Sequence, residues 1–223
     1  MNDTALIRLM QLVSPALPIG AYAYSQGLEY AVSSGWVRDE RSALEWISGI
    51  FGAGLSTLDL PVLIRLYGGW QRGDHTEIED WSRFLLANRE SGELVIEDYQ
   101  VGTALARLLS DLDIQEALPW INHSQATLAT LFSLAAVYWA IPVLDAVRGY
   151  VWMWSENQVI AAVRLVPLGQ SAGQRILSKM IRPMLEGVDR AFSIQDDEIG
   201  RSLPAWGLAG IFHETQYTRL FRS

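Results

Sequence analysis

Metal or acid–base chemistry in this chain must be built from three histidines and its carboxylates, because it contains no cysteine. His213-Glu214 begins like a zinc-protease motif, in which a second histidine four residues on would share one helical face. That position is Tyr217. His75 and His123 stand alone in segments that read as loops, where a histidine more often caps or is solvated than ligates. The lack of cysteine excludes disulfides, thiolate metal sites and cysteine nucleophiles, and it fits a reducing cytoplasm. No phosphate loop is present, since Gly68-Gly69 lacks the downstream Gly-Lys-Ser/Thr. A catalytic reading is left with Glu156 as acid or base and Arg175 as an anion holder in a small helical enzyme. It requires both groups in one pocket with a perturbed carboxylate.

Four segments stand out by residue type. Ser14 to Glu29 reads SPALPIGAYAYSQGLE. Pro15, Pro18 and Gly20 make an irregular backbone, and Tyr22 and Tyr24 carry apolar rings with polar tips suited to interfaces. The same residues also suit a rigid corner between helices. Trp152-Met153-Trp154 runs directly into the polar band Ser155-Glu156-Asn157-Gln158. Such a band must face water, a partner, a lined internal passage or internal hydrogen-bond partners. Val166 to Arg175 is a short turn into a helix, whose free N–H groups could hold an anion or be capped by Ser171. The C-terminal His213 to Ser223 mixes Tyr217, Leu220 and Phe221 with Arg219 and Arg222, the residue types of interface anchors. Either this tail packs on its own domain or it orders when a partner arrives.

The elements that position these residues read as helices throughout, with no sustained period-two alternation. Thr4 is placed to cap a first helix, and a second spans about Ser25 to Gly35. Asp39 caps a third, and a fourth runs from about Leu58 to Tyr67, closed by Gly68, Gly69 and Gly73. Thr76 to Glu79 matches a capping box that opens a fifth. A break at Ser91-Gly92 leads to a helix through Leu108, followed by an apolar one around Leu128 to Trp139. Pro142 begins a helix to about Val166, and Ser171 begins one to about Phe192. The expectation is an all-α, bundle-like single domain over residues 1–223 with eight to ten helices, residues 204–223 forming a C-terminal tail.

Composition narrows the function class. Charged residues make up 19% of the chain, below the typical quarter, which suggests surface covered by a partner or a second copy, or else a well-packed monomer with uncharged polar faces. The net charge of −8 argues against nucleic acid and against an anionic membrane surface. Ser124 to Leu144 carries no charge and is long enough to span a bilayer, but Thr127, Thr130, Ser133 and Pro142 favour a buried core helix. Met1 to Gln11 has charges and no unbroken apolar run, unlike a signal peptide.

The four segments are also where the chain resembles the UreF family of urease accessory proteins. The family pattern Ser-Pro-x-Leu-Pro-(Ile/Val)-Gly, then Ser-x-Gly-Leu-Glu, is matched by Ser14 to Glu29. Arg89 to Leu94 resembles Arg-Glu-(Ser/Thr)-x-Glu-Leu. Glu156 to Gln158 with Pro167 to Arg175 resembles Glu-Asn-Gln, a Pro-Leu turn and Gly-Gln-Arg. The end resembles His-Glu-x-x-Tyr-(Ser/Thr)-Arg-Leu-Phe-x-Ser. Ser155 and Thr218 depart from the usual residues without removing a functional group. The likeness covers about Leu6 to Ser223.

The resemblance implies a dimerising all-α adaptor, not an enzyme, that binds UreD (also called UreH) on apo-urease and recruits the GTPase UreG so that nickel enters urease. Tyr217, Arg219, Leu220, Phe221 and Arg222 would then order against UreD together with the N-terminal helix. Deleting Tyr217 to Ser223 would leave helical content and thermal stability nearly intact. Pro15, Pro18, Gly20, Tyr22, Tyr24, Ser25, Glu29, Gln170, Gln174 and Arg175 would form a UreG-facing or homodimer surface. No cofactor or metal ligand is expected in this chain, nickel being handled by the complex, with at most passing contact at Glu29 or Glu156.

Overall fold

A computed structural model describes residues 1–223, which form ten α-helices and no strand. Helix α1 (Asp3–Leu12) is capped by Asn2, whose side chain accepts the Ala5 N–H at 2.8 Å, two residues earlier than Thr4. Helix α2 is shorter than its pattern suggests, Leu28–Ser33, because the backbone ahead of it turns left-handed at Gln26 and Gly27. Asp39 caps α3 (Glu40–Ile50) in a capping box with Ser42. That helix loosens into a π-helical turn, Phe51–Leu55, where the Ser56 and Thr57 hydroxyls donate to the Gly52 and Ala53 carbonyls at 2.8 and 2.7 Å.

Helix α4 (Asp59–Arg72) continues through Gly68 and Gly69 and ends at left-handed Gly73. The glycine pair does not close the helix, because Gly69 is the point where Ile78 of the next helix packs closely. Helix α5 (His75–Ala87) is capped by Asp74, which accepts the Glu77 N–H at 3.0 Å, so Thr76 lies inside the first turn. Ser91 caps α6 (Gly92–Asp111), and Thr127 caps α7 (Leu128–Tyr138). Helix α8 (Val143–Leu165) follows Pro142. Helix α9 (Gln170–Ser193) starts at Gly169 without a side-chain cap, leaving Ser171 in its first turn. The last helix, α10 (Pro204–Glu214), has proline in its first turn, where the missing N–H costs nothing. It takes up half of the expected tail.

One buried cluster runs from Ala5 to Phe221, with α4 packed on α5, α7, α8 and α9 and with α6 on α7. The uncharged run Ser124 to Leu144 is a core element. Most of α7 is buried, and its hydroxyls pair internally, Thr130 with Ser82 at 2.7 Å and with Thr127 at 2.8 Å. No single helix is long and apolar enough to cross a membrane.

Candidate functional site

Two of the singled-out segments meet. The corner before α2 and the segment after α10 lie against each other, with α6 beneath both. A 3-10 turn at Ala21–Ala23 follows left-handed Gly20, and left-handed Gln26 and Gly27 then aim α2 away. Gly27 is required twice over. Its φ is +80°, and a Cβ there would meet Ala209 and the Gly210 nitrogen of α10 at 3.0 and 3.2 Å.

The C-terminal segment therefore packs on its own domain. The Arg222 N–H donates to the Ala23 carbonyl at 2.8 Å, and the Ser25 N–H donates to the Ser223 carbonyl at 2.7 Å. The Ser25 hydroxyl also donates to that carbonyl and accepts the Glu29 N–H at 3.2 Å. The buried Glu29 carboxylate receives the tail directly, Oε1 accepting from Leu220 N–H at 2.6 Å and Oε2 from Phe221 N–H at 2.9 Å. Hydrogen bonds to an ionised acceptor are about twice as strong as neutral ones. Phe221 then drops into the core at 5% exposure.

Helix α6 supplies the floor with Glu93, Glu97 and Gln100, spaced so that they share one helical face. Arg219 pairs with Glu93 at 2.8 Å, and the Ser223 hydroxyl donates to Glu97 at 3.0 Å. Gln100 accepts from the Tyr24 hydroxyl at 2.5 Å and from Arg222 at 3.2 Å. Burial raises the Tyr24 phenol above its ordinary value, and burial pushes the Glu97 carboxyl up to about 8. Gln26 ties the layers together. It donates to Glu97 at 2.7 Å, accepts from the Trp154 indole at 2.8 Å, and its carbonyl accepts from the Trp206 indole at 2.9 Å. His213, fully buried, places Nδ1 2.7 Å from Glu93 and Nε2 3.2 Å from Glu29.

This arrangement revises several sequence expectations. Tyr24, Ser25 and Glu29 are not free surface in this chain, because the tail covers them and uses their polar groups. Pro15 and Pro18 are exposed, Gly20 is half-buried, and Tyr22 is 54% exposed. In the tail, Phe221 is an internal anchor, while Tyr217 is fully exposed and Leu220 is 67% exposed. Deleting Tyr217–Ser223 would strip Glu29 and Ser25 of their partners and remove a core ring, so the truncation is not thermally silent. Beside the tail, Leu208, Ile211 and Phe212 of α10 are also exposed, and Phe212 stacks on Tyr30 at 5.2 Å.

The other segments form separate features. Gln170 and Gln174 are exposed and line a groove of about 210 Å3 between α8 and α9, together with Glu156. Burial raises the Glu156 carboxyl above its ordinary value. Arg175 does not line that groove. Its guanidinium holds Glu40 through Nη2 at 2.6 Å and Nε at 3.1 Å, with Lys179 adding a contact at 3.3 Å. An acid–base pair of Glu156 with an anion-holding Arg175 is therefore not assembled. The polar band on α8 splits: Glu156 faces the groove, whereas Ser155 and Gln158 are buried.

Gln158 borders an interior cavity of about 50 Å3 with Glu97, Asp98, Asp59 and Arg89. Arg89 is held there by Asp59 at 2.7 Å and Asp98 at 2.5 Å. Burial alone would lower the guanidinium, but the two carboxylates hold it well above its ordinary value. No three His, Asp or Glu side chains converge in a way that could hold a metal ion. The ion pairs around Arg89 and the hub at Gln26 escaped the sequence reading. The Glu93, Glu97, Gln100 stripe was the available signal.

A family model described as UreF matches residues 37–181. The chain is 50% identical over 216 residues to the protein named "Urease accessory protein UreF" of Alkalilimnicola ehrlichii, covering 97% of this chain and 95% of that one. It is 46% identical over 223 residues to the protein of the same name from Hahella chejuensis, covering all of both. To that of Teredinibacter turnerae it is 46% identical over 221 residues, 99% of this chain and all of the other.

Proposed function

The chain belongs to the UreF family of urease accessory proteins, and from that premise we propose that it is a non-catalytic adaptor for nickel insertion into urease. In this reading it binds UreD/UreH on apo-urease, recruits the GTPase UreG, works in the cytoplasm, and pairs with a second copy of itself. Nickel passes through the assembly without a resident site in this chain. The carrying observation is the division of labour in the tail. Phe221 and the backbone of Leu220 to Ser223 lock onto Glu29, Ser25 and Ala23, which leaves the Tyr217 ring and the Leu220 side chain facing outward as apolar anchors. Fixing the backbone beside such side chains in advance lowers the entropy lost on binding. UreD is the partner assigned to this end, and the Gln170–Gln174 groove edge is the surface assigned to UreG or the second copy.

Co-expression with UreD and UreG followed by size-exclusion chromatography tests the reading. The wild-type chain should co-elute with UreD. The double variant Tyr217→Ala, Leu220→Ala should keep its unfolding midpoint, since exposed substitutions change stability by only about 0.5 kcal/mol. It should lose UreD binding by at least about tenfold, as truncated interface anchors do. A double variant that binds UreD like wild type removes the tail from the interface, and a wild-type chain that never co-elutes with UreD removes the adaptor reading.

A further inference from the structure

His213 is the one imidazole in the chain that is fully buried, and both its ring nitrogens face carboxylates: Nδ1 meets Glu93 Oε2 at 2.7 Å and Nε2 meets Glu29 Oε2 at 3.2 Å. A neutral imidazole carries one N–H, so it donates to one carboxylate and turns a lone pair toward the other. Only the imidazolium, with an N–H on each nitrogen, satisfies both contacts while both acids are ionised. The same Glu29 oxygens accept the Leu220 and Phe221 N–H groups, and the second Glu93 oxygen accepts from Arg219 at 2.8 Å. The two acids that grip the tail are therefore brought together through this ring.

We infer that His213 is a proton-operated latch: protonated, it holds Glu29 and Glu93 in place to receive the tail, and on deprotonation it releases residues 215–223 from the corner before α2.

The groups around the ring are consistent with that role. From α2 come Glu29 and Tyr30, and the approach to α6 brings Glu90, which accepts the Leu203 N–H at 2.6 Å. From α6 come Glu93 and Glu97. The tail contributes Arg219, and α10 itself contributes Glu214, which accepts the Glu93 N–H at 3.2 Å. Glu29 and Glu93 meet the ring itself, Glu90, Glu97 and Glu214 lie further along the seam, and the fixed cations are Arg219 on Glu93, Arg222 on Gln100 and Arg89 acting on Glu97. Loss of the imidazolium charge leaves the Glu29–Glu93 pair with no cation between them, in a site shielded from solvent where like charges repel strongly. Glu97, which binds the Ser223 hydroxyl and is pushed up to about 8, is a second titratable group on the tail and must be separated experimentally.

The test uses the full chain and two readouts. In the first, the His213 ring nitrogens are observed by 15N NMR across the pH range over which the chain stays folded. Two protonated nitrogens at the low end and one at the high end are expected; one protonated nitrogen throughout overturns the latch. In the second, hydrogen-exchange protection of the Leu220 and Phe221 amides, corrected for intrinsic exchange, should fall by about tenfold or more over the same range. The variant Glu93→Gln should abolish that fall, because its amide donates to the lone pair of a neutral ring. Glu97→Gln should retain the fall. A pH-independent wild type overturns the proposal, as does a fall that persists in Glu93→Gln or vanishes in Glu97→Gln.

Discussion

Arg89 is the residue on which the interior charge balance rests. It sits between Asp59 and Asp98, with all three side chains at 8% exposure or less. Replacing a whole buried triad by apolar groups can be neutral, but removing one member leaves uncompensated charge at a cost of about 3–5 kcal/mol. Arg89→Met should therefore lower the urea-unfolding free energy by about that amount, or leave the chain unfolded at ordinary temperature. The triple variant with Asp59→Leu and Asp98→Leu should recover part of the loss; no recovery would mean that Arg89 acts by packing and not by charge. The motif around Arg89 was visible in the sequence as a resemblance without a role. Arg89 lies in the connection between α5 and α6, its role depends on Asp59 at the start of α4, and no local spacing connects the two.

At the scale of elements, helix existence was legible and helix ends were legible only where a single side chain decides them. Asp39 caps where the sequence places it, because an acceptor just ahead of an amphipathic run satisfies a free N–H, and Ser91, expected only as a break, caps α6 in the same way. Thr4 and Thr76 lose to Asn2 and Asp74, equally good caps close by. Helix α10 lies within the expected tail of residues 204–223, and its outward face, with Leu208, Ile211 and Phe212, lacks the charges that mark a surface helix. Gly102 shows what propensity misses. It is a poor helix former inside the unbroken α6, yet a Cβ there would lie 2.6 Å from the Ala126 carbonyl oxygen and 2.7 Å from the Thr127 carbonyl carbon. Neither backbone can yield as a side-chain end could. Gly102→Ala should accordingly destabilise the chain by about 1–3 kcal/mol, although alanine favours helix. Thermal unfolding with a midpoint at or above wild type would show that the loop over α6 moves aside.

The whole molecule closes a polar seam inside one apolar cluster. Residues 23–29, the α6 face and residues 219–223 come together across sequence separations of up to 198 residues. That closure could not be read from local pattern. The tail's anchor-like composition left open whether it packs on its own domain, and the fold seats Phe221 and the 220–223 backbone there while leaving the Tyr217 and Leu220 side chains exposed. The seam is also where stability should depend on pH. The Glu97 carboxyl is raised from an ordinary value of 4.5 to about 8, first by burial, against the hydrogen bonds from Gln26 and Ser223. Between those values the native state holds a proton that the unfolded chain has released. Stability from this group is then fully present below about 4.5, falls as the pH rises toward about 8, and levels off above it. Urea midpoints measured from about pH 5 to about pH 9 should decline along this course in the wild type. Glu97→Gln, neutral at every pH and able to keep a hydrogen bond to Ser223, should lose that part of the slope and be the more stable protein at the alkaline end. Equal slopes for the two would place the pH dependence elsewhere in the seam.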